Sequence, residues 1–417
     1  MSRARLHGFL FAGLTTALVA TTGCGGGSSG SSITSSGGGG SSSPTANVQA
    51  ITVSTGPTAG PPYNSPYVDG VFTSVTICVP GSTTSCQTID GILVDTGSSG
   101  LRIMASQLTI SLPQQMGAGG APIAECLPFV DGVTWGPVQT VDLTIAGEVA
   151  KSLPIQVVGS SSFSNVPNGC LSYGVPEDTV GEFGANGVLG VGNFAQDCGG
   201  GCAQSGANNP GLYYTCPSQG CAITTESLTS QVQNPVALFP TDNNGVLIDL
   251  PSVTGAETSV SGSLIFGIGT QSDNALGSAT VYALDPSFGN FNTTFNNVSY
   301  PDEAFLDTGS NGLYFPASNV AALVPCRDNT FWYCPSATQN LSAINQAFSG
   351  GATGSVNFVV GNADTLTANE NNAAVNGLAG PNTGSFDWGL PFFFGRKVFT
   401  AIEGANTPAG AGPYVAY

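Results

Sequence analysis

Two short motifs carry the residues best placed to do chemistry. Asp95-Thr96-Gly97-Ser98 lies in I-L-V-D-T-G-S-S-G-L-R-I at residues 92–103, and Asp307-Thr308-Gly309-Ser310 in A-F-L-D-T-G-S-N-G-L-Y-F at 304–315. A single D-T-G is an ordinary turn, since Asp and Gly build turns everywhere. Two copies in matched apolar frames are an internal repeat. Each copy is an apolar strand delivering Asp-Thr-Gly into a turn, followed by a second apolar strand. Two such loops meeting about a pseudo-twofold axis bring Asp95 and Asp307 together. Adjacent carboxylates cannot both ionise easily, so the pair shares one proton, one member acting as base and the other as acid.

Composition removes most competing chemistries. The only histidine among the 417 residues is His7, inside a segment expected to be removed. Ser-His-Asp and Cys-His catalysis and His-ligated metal sites are then unavailable. A paired-aspartate site needs no cofactor and no metal. With 25 acidic against 7 basic residues, a net charge of -18, and no basic cluster after Arg5 except Arg396 and Lys397, a nucleic-acid partner is excluded.

The elements that must hold the two motifs read as strands. Short Val/Ile/Thr/Phe/Tyr runs such as V-F-T-S-V-T-I-C, T-V-D-L-T-I, L-P-I-Q-V-V and G-S-L-I-F-G alternate with Gly, Pro, Asn and Ser punctuation. Helical patterns are scarce, the better ones being residues 318–324 and 342–348. The expectation is an all-β protein with a few short helices.

Residues 1–24 read as an export signal: Arg3 and Arg5, an apolar run from Leu6 to Ala20, then small residues before Cys24. The ending T-T-G-C resembles a bacterial lipobox, in which Cys24 becomes a lipidated N-terminus. Thr21 stands where leucine is usual, which keeps ordinary signal cleavage as the alternative. Residues 25–43 contain only Gly, Ser, Ile and Thr, a flexible tether. Of eleven cysteines, ten remain beside Cys24, enough for five disulfides in an oxidising periplasm or at the cell surface. Cys78 with Cys86 and Cys326 with Cys334 are local pairs. Cys198, Cys202, Cys216 and Cys221 have the look of a zinc knot, but irregular spacing and the oxidising compartment favour two disulfides. Cys126 and Cys170 are then left to each other.

From about residue 67 to the C-terminus the chain resembles the pepsin-like aspartic peptidases, and among them a group of bacterial lipoproteins with paired D-T-G-S motifs. Besides the two motifs, the likeness rests on F-T-S-V-T-I, on G-V-L-G-V-G at 187–192, on N-P-V-A-L-F-P at 234–240, on S-G-S-L-I-F-G-I-G at 261–269, and on the closing W-G-L-P-F-F-F-G-R-K-V-F-T-A-I-E. The resemblance implies a bilobal acid-protease fold, with a tether and candidate pro-segment over 25–66, an N-terminal lobe over 67–255 and a C-terminal lobe over 256–417. It implies that Asp95 and Asp307 hold an attacking water, that Thr96 and Thr308 lock the loops together, that Gly97 and Gly309 shape the turns, and that Ser98 and Ser310 bond near the carboxylates. The expected protein is a monomeric, lipid-anchored endopeptidase of the cell envelope acting on peptides or unfolded protein; the alternative is a pepsin-like binding or inhibitory module that has lost turnover.

Three positions depart from the family pattern. Trp135 takes the place of the flap tyrosine, as a roof over the dyad or as core packing, and the flap is expected to be short. Arg102 replaces an apolar aromatic residue and either pairs with a carboxylate or sits in solvent. In the last signature Pro391 replaces glycine in one register; the other register, Phe393-Phe394-Gly395, keeps it.

Overall fold

The computed structural model describes residues 47–57, 66–317 and 319–417. Cys24, the export signal and the 25–43 tether lie outside the described residues. The architecture is all-β: a fifteen-stranded sheet, a seven-stranded sheet and two two-stranded ribbons, with three α-helices of one turn each among the described residues. The alternating pattern of the sequence accounts for this. In residues 74–78 and 138–145 the apolar residues fall on buried positions while Ser, Thr, Gln and Asp take the more accessible ones.

The large sheet joins the two halves of the chain. Val48–Ser54 pairs antiparallel with Gly70–Cys78 on one side and with Val260–Phe266 on the other. Gly245–Asp249 continues the sheet between Val260–Phe266 and Lys397–Ala401. The sheet crosses the 255/256 position, because the strands on either side of it, Gly245–Asp249 and Val260–Phe266, pair with each other. The globular body also begins no later than Val48, since Ile51 and Val53 are fully buried between two strands; taking that segment out would expose two ladders of backbone donors and acceptors. Val48–Ser54, inside the stretch expected to be tether and pro-segment, is thus a strand of the sheet.

The helical expectations also change. Residues 342–348 fall largely in the strand Gln339–Gln346, which pairs along its whole length with Thr353–Val360. Its accessibility alternates with period two: Ala343 and Asn345 are buried, Ser342 and Ile344 exposed. Residues 319–324 form turns, in which Val320 N–H donates to Ala317 and Leu323 N–H to Val320. In both segments the i, i+3 spacing of apolar residues is outweighed by pairing and packing set elsewhere.

The seven-stranded sheet is backed by aromatic rings. Phe315 stacks on Phe386 at 5.0 Å, Phe386 lies 4.5 Å from Trp388, and Phe295 and Phe358 close the cluster edge-on. These rings fix the backbone on either side of the second motif.

All ten cysteines of the body are bridged: Cys78–Cys86, Cys126–Cys170, Cys198–Cys202, Cys216–Cys221 and Cys326–Cys334. The zinc-like spacing is thus two short disulfide loops, whose sulfurs are no longer thiolates able to ligate a metal.

Candidate active site

Each motif sits at the end of an apolar strand. Cys86–Asp95, in the large sheet, runs parallel to Gly187–Val191 with Val94 opposite Leu189 and Asp95 opposite Gly190. Ser99–Met104 returns antiparallel on the other side, Leu101 opposite Leu189. In the smaller sheet Val298–Leu306 runs parallel to Phe386–Trp388 with Leu306 opposite Trp388, and Leu313–Phe315 returns with Leu313 opposite Trp388. The repeat seen in sequence is thus a repeat of three-strand geometry. It makes Gly389 the counterpart of Gly190: Asp307 N–H donates to Trp388 O, and a Cβ on Gly389 would lie 2.0 Å from Gly312 O. Neither sequence register survives, because the matching triplet is Asp387-Trp388-Gly389.

The two loops interlock. Thr96 N–H donates to Thr308 Oγ1 and Thr308 N–H to Thr96 Oγ1, both at 3.0 Å. The hydroxyls in turn donate across, Thr96 to Leu306 O at 3.2 Å and Thr308 to Val94 O at 2.8 Å. Gly97 N–H and Gly309 N–H each donate at 2.7 Å to Oδ1 of their own motif's aspartate. The glycines permit the approach, since a Cβ on Gly97 would lie 2.7 Å from the Asp307 carboxyl and one on Gly309 would lie 2.8 Å from Asp95 Oδ1. Any side chain at either position would push the loops apart.

Asp95 and Asp307 are 3% and 0% exposed, and their carboxyls are hydrogen-bonded to each other. Burial pushes the Asp307 carboxyl well above the usual carboxylate range; the neighbouring carboxyls of Asp95 and Asp387 push the same way, and the Ser310 hydroxyl opposes them. That hydroxyl donates to Asp307 Oδ2 at 2.7 Å. The other half lacks the equivalent bond, for Ser98 Oγ is buried with no hydrogen-bond partner. The Ser310 hydroxyl thus bonds its own motif's aspartate, and the Ser98 hydroxyl does not.

Beside the loops opens a cleft of about 490 Å³ drawn from both halves of the chain, with Gly97, Ser98 and Phe194 on one side and Asp302, Phe305 and Leu306 on the other. Trp135 is not a roof in this structure. It lies inside the unbroken strand Val133–Ile145, 1% exposed, with its indole N–H donating to Phe163 O and its ring edge-on to Tyr214. Its packing against Tyr214 and the Cys126–Cys170 bridge holds the side chain in the core.

Arg102 is buried and paired. Its Nη2 lies 2.8 Å from both Glu125 Oε1 and Asp197 Oδ2, Nη1 donates to Ser99 O, and the Tyr213 hydroxyl donates to Asp197. Asp197 is held well above the usual range, first by burial and then by Glu125, with Arg102 and Tyr213 opposing. The partners of Arg102 and the buried Asp387 escape sequence reasoning. The only signal for Asp387 was a lone acid inside the apolar run S-F-D-W-G-L-P-F-F-F.

Fold and site together define an all-β protein with two interlocked Asp-Thr-Gly loops and a buried pair of aspartates. Residues 43–417 match the family described as Protein of unknown function (DUF3443), and the chain belongs to that family. No curated protein matches the chain significantly.

Proposed function

We propose that the protein is an aspartic endopeptidase of pepsin-like, bilobal architecture that works outside the cytoplasm on peptides or unfolded protein. The observation that carries this reading is the hydrogen-bonded pair of buried carboxyls, Asp95 and Asp307, whose chain neighbours Thr96, Gly97, Ser98 and Leu306 line a cleft. A buried like-charged pair is costly, and a fold with no use for it has no reason to keep it. The two loops, one per sheet, fit two lobes meeting at the cleft, joined by the sheet that both halves share.

In this mechanism the pair enters singly protonated. The ionised carboxylate takes a proton from a water held between the two as the water oxygen bonds to the peptide carbonyl carbon. The protonated carboxyl gives its proton to the carbonyl oxygen, and a neutral gem-diol results. The carboxyl that gained the water's proton then passes it to the amide nitrogen while the C–N bond breaks. A diol hydroxyl proton returns to the other aspartate, giving an acid, an amine and the starting dyad.

The test is cleavage of an unfolded protein mixture by the purified mature chain over about pH 3–7, a range bracketing a shared-proton titration. A bell-shaped profile is expected for wild type, and near-complete loss in Asp95→Asn and Asp307→Asn. Equal cleavage by all three proteins rejects the dyad. One observation favours the second reading, a binding module: Trp135, expected over the dyad, is buried in the core with its indole N–H donating to Phe163 O. Tight peptide binding without cleavage in any of the three would establish that reading instead.

A further inference from the structure

Behind the dyad lies a third buried carboxyl that the mechanism above does not use. Asp387 is 2% exposed, in the middle of Phe386–Trp388. It pairs in register with Phe305 on one side and Tyr314 on the other, the place that Val188 takes in the first half. Its Oδ1 has no hydrogen-bond partner, and the Ser310 hydroxyl stands within hydrogen-bonding reach of its carboxyl. The same hydroxyl is 2.7 Å from Asp307 Oδ2.

A serine hydroxyl has one proton to donate and lone pairs to accept with. Placed between two carboxyls, it can serve both only if one of them donates to it. We propose that Asp387 is a positioning residue for Asp307: its protonated carboxyl donates to Ser310 Oγ, which fixes the serine proton on Asp307. This rests on the paired-aspartate reading above. It also accounts for the asymmetry of the two motifs, since Ser98, with Val188 behind it in place of an acid, has no partner for its hydroxyl.

The surroundings favour a neutral Asp387. Asp95 and Asp307 face it from the loops, and Tyr314, whose hydroxyl donates to Asn311 Oδ1 at 2.6 Å, faces it from the neighbouring strand. Beyond Tyr314 stand Tyr67, Asp69 and Asp131, and Phe305 on the opposite strand is uncharged. Burial pushes the Asp387 carboxyl well above the usual carboxylate range, the Ser310 hydroxyl opposes it, and the neighbouring Asp95 carboxyl adds to the rise.

The experiment is an infrared or 13C NMR titration of the aspartate carboxyls of the intact mature protein, alongside the pH–rate profile. Asp387→Asn keeps a donor and removes the ionisation; Asp387→Val copies the first half and removes the donor; Ser310→Ala removes the link. The expected result is that Asp387→Asn loses one protonated carboxyl signal near neutrality and leaves the dyad's upper titration in place. Asp387→Val and Ser310→Ala should each raise that titration by about one pH unit, the size of one hydrogen bond to a charged group. Combining Asp387→Val with Ser310→Ala should add nothing further. A fall of the dyad titration in Asp387→Asn would mean that Asp387 is ionised in the native protein, and an unchanged titration in Ser310→Ala would mean that there is no relay; either overturns the proposal. Because the spectra read the carboxyls without turnover, a failed cleavage assay counts against the proposed function and not against Asp387.

Discussion

Thr96 and Thr308 exchange backbone-to-hydroxyl hydrogen bonds of equal length, 3.0 Å each way, across 212 residues of chain. Each hydroxyl also donates to a carbonyl of the opposite motif strand. Four bonds among fully buried groups therefore hold the two aspartates at one separation, and the site depends on neither loop alone.

Breaking that exchange should be costly. Thr308→Val keeps shape but removes the acceptor of Thr96 N–H and a donor to Val94 O. The expected destabilisation is roughly 2–4 kcal/mol, with Thr308→Ser losing much less. Urea unfolding of both variants checks this; equal stability of the two would show that the hydroxyl is not what matters.

Arg102 should matter through burial. Arg102→Met strands Glu125 and Asp197 without a counter-ion, at about 3–5 kcal/mol. The loss should be smaller at pH 5 than at pH 8, since carboxyls left without the guanidinium can take up protons in acid. Thermal unfolding at the two pH values gives the comparison, and a larger loss in acid would contradict it.

Stability should fall from acid toward neutral pH. Asp178 is raised to about 6 mainly by burial, as is Asp302, where Asp285 and Glu303 add to the effect; Asp69 and Asp387 are raised well above the usual carboxylate range, also mainly by burial. A carboxyl with a folded value above its unfolded one makes folding take up a proton. Its contribution is complete below about pH 4, the unfolded value, and is lost as pH rises through the folded value. For Asp178 and Asp302 the loss spans about pH 4–6, and Asp69 and Asp387, also raised, contribute a loss of the same sign. Calorimetry at pH 4, 5, 6 and 7.5 (values chosen around those titrations) should show Tm declining across the series; a rise would show that other groups dominate.

The disulfides should differ in worth. Cys126–Cys170 closes a 44-residue separation and Cys198–Cys202 one of four. Loop entropy assigns about 4 kcal/mol to the first and about 2 kcal/mol to the second. Removing each pair by double alanine substitution and measuring unfolding should preserve that order, and a costlier loss of the short loop would refute it.

Residues near in sequence were legible from sequence. An apolar strand running into Asp-Thr-Gly and out into a second strand is a local pattern, and its duplication predicts two like loops before any contact is known. Cys78–Cys86 and Cys326–Cys334 are legible for the same reason, each pair closing a short turn. The limit shows at residues 342–348, where a helical spacing of apolar side chains gave way to the ladder with Thr353–Val360.

Only the tertiary structure decided which distant groups face each other. Val48–Ser54 becomes structural by pairing with strands on both sides, one of them more than 200 residues away. Arg102 meets Asp197 95 residues on, and Trp135 turns to Phe163 and Tyr214. Asp387 reaches the dyad because Phe386–Trp388 inserts between Val298–Leu306 and Leu313–Phe315. Local sequence sets strand, turn and bridge through short-range sterics and periodicity. Which side chains share a buried, low-dielectric space is set by the packing of strands far apart in the chain, and that space is what shifts a carboxyl's proton affinity.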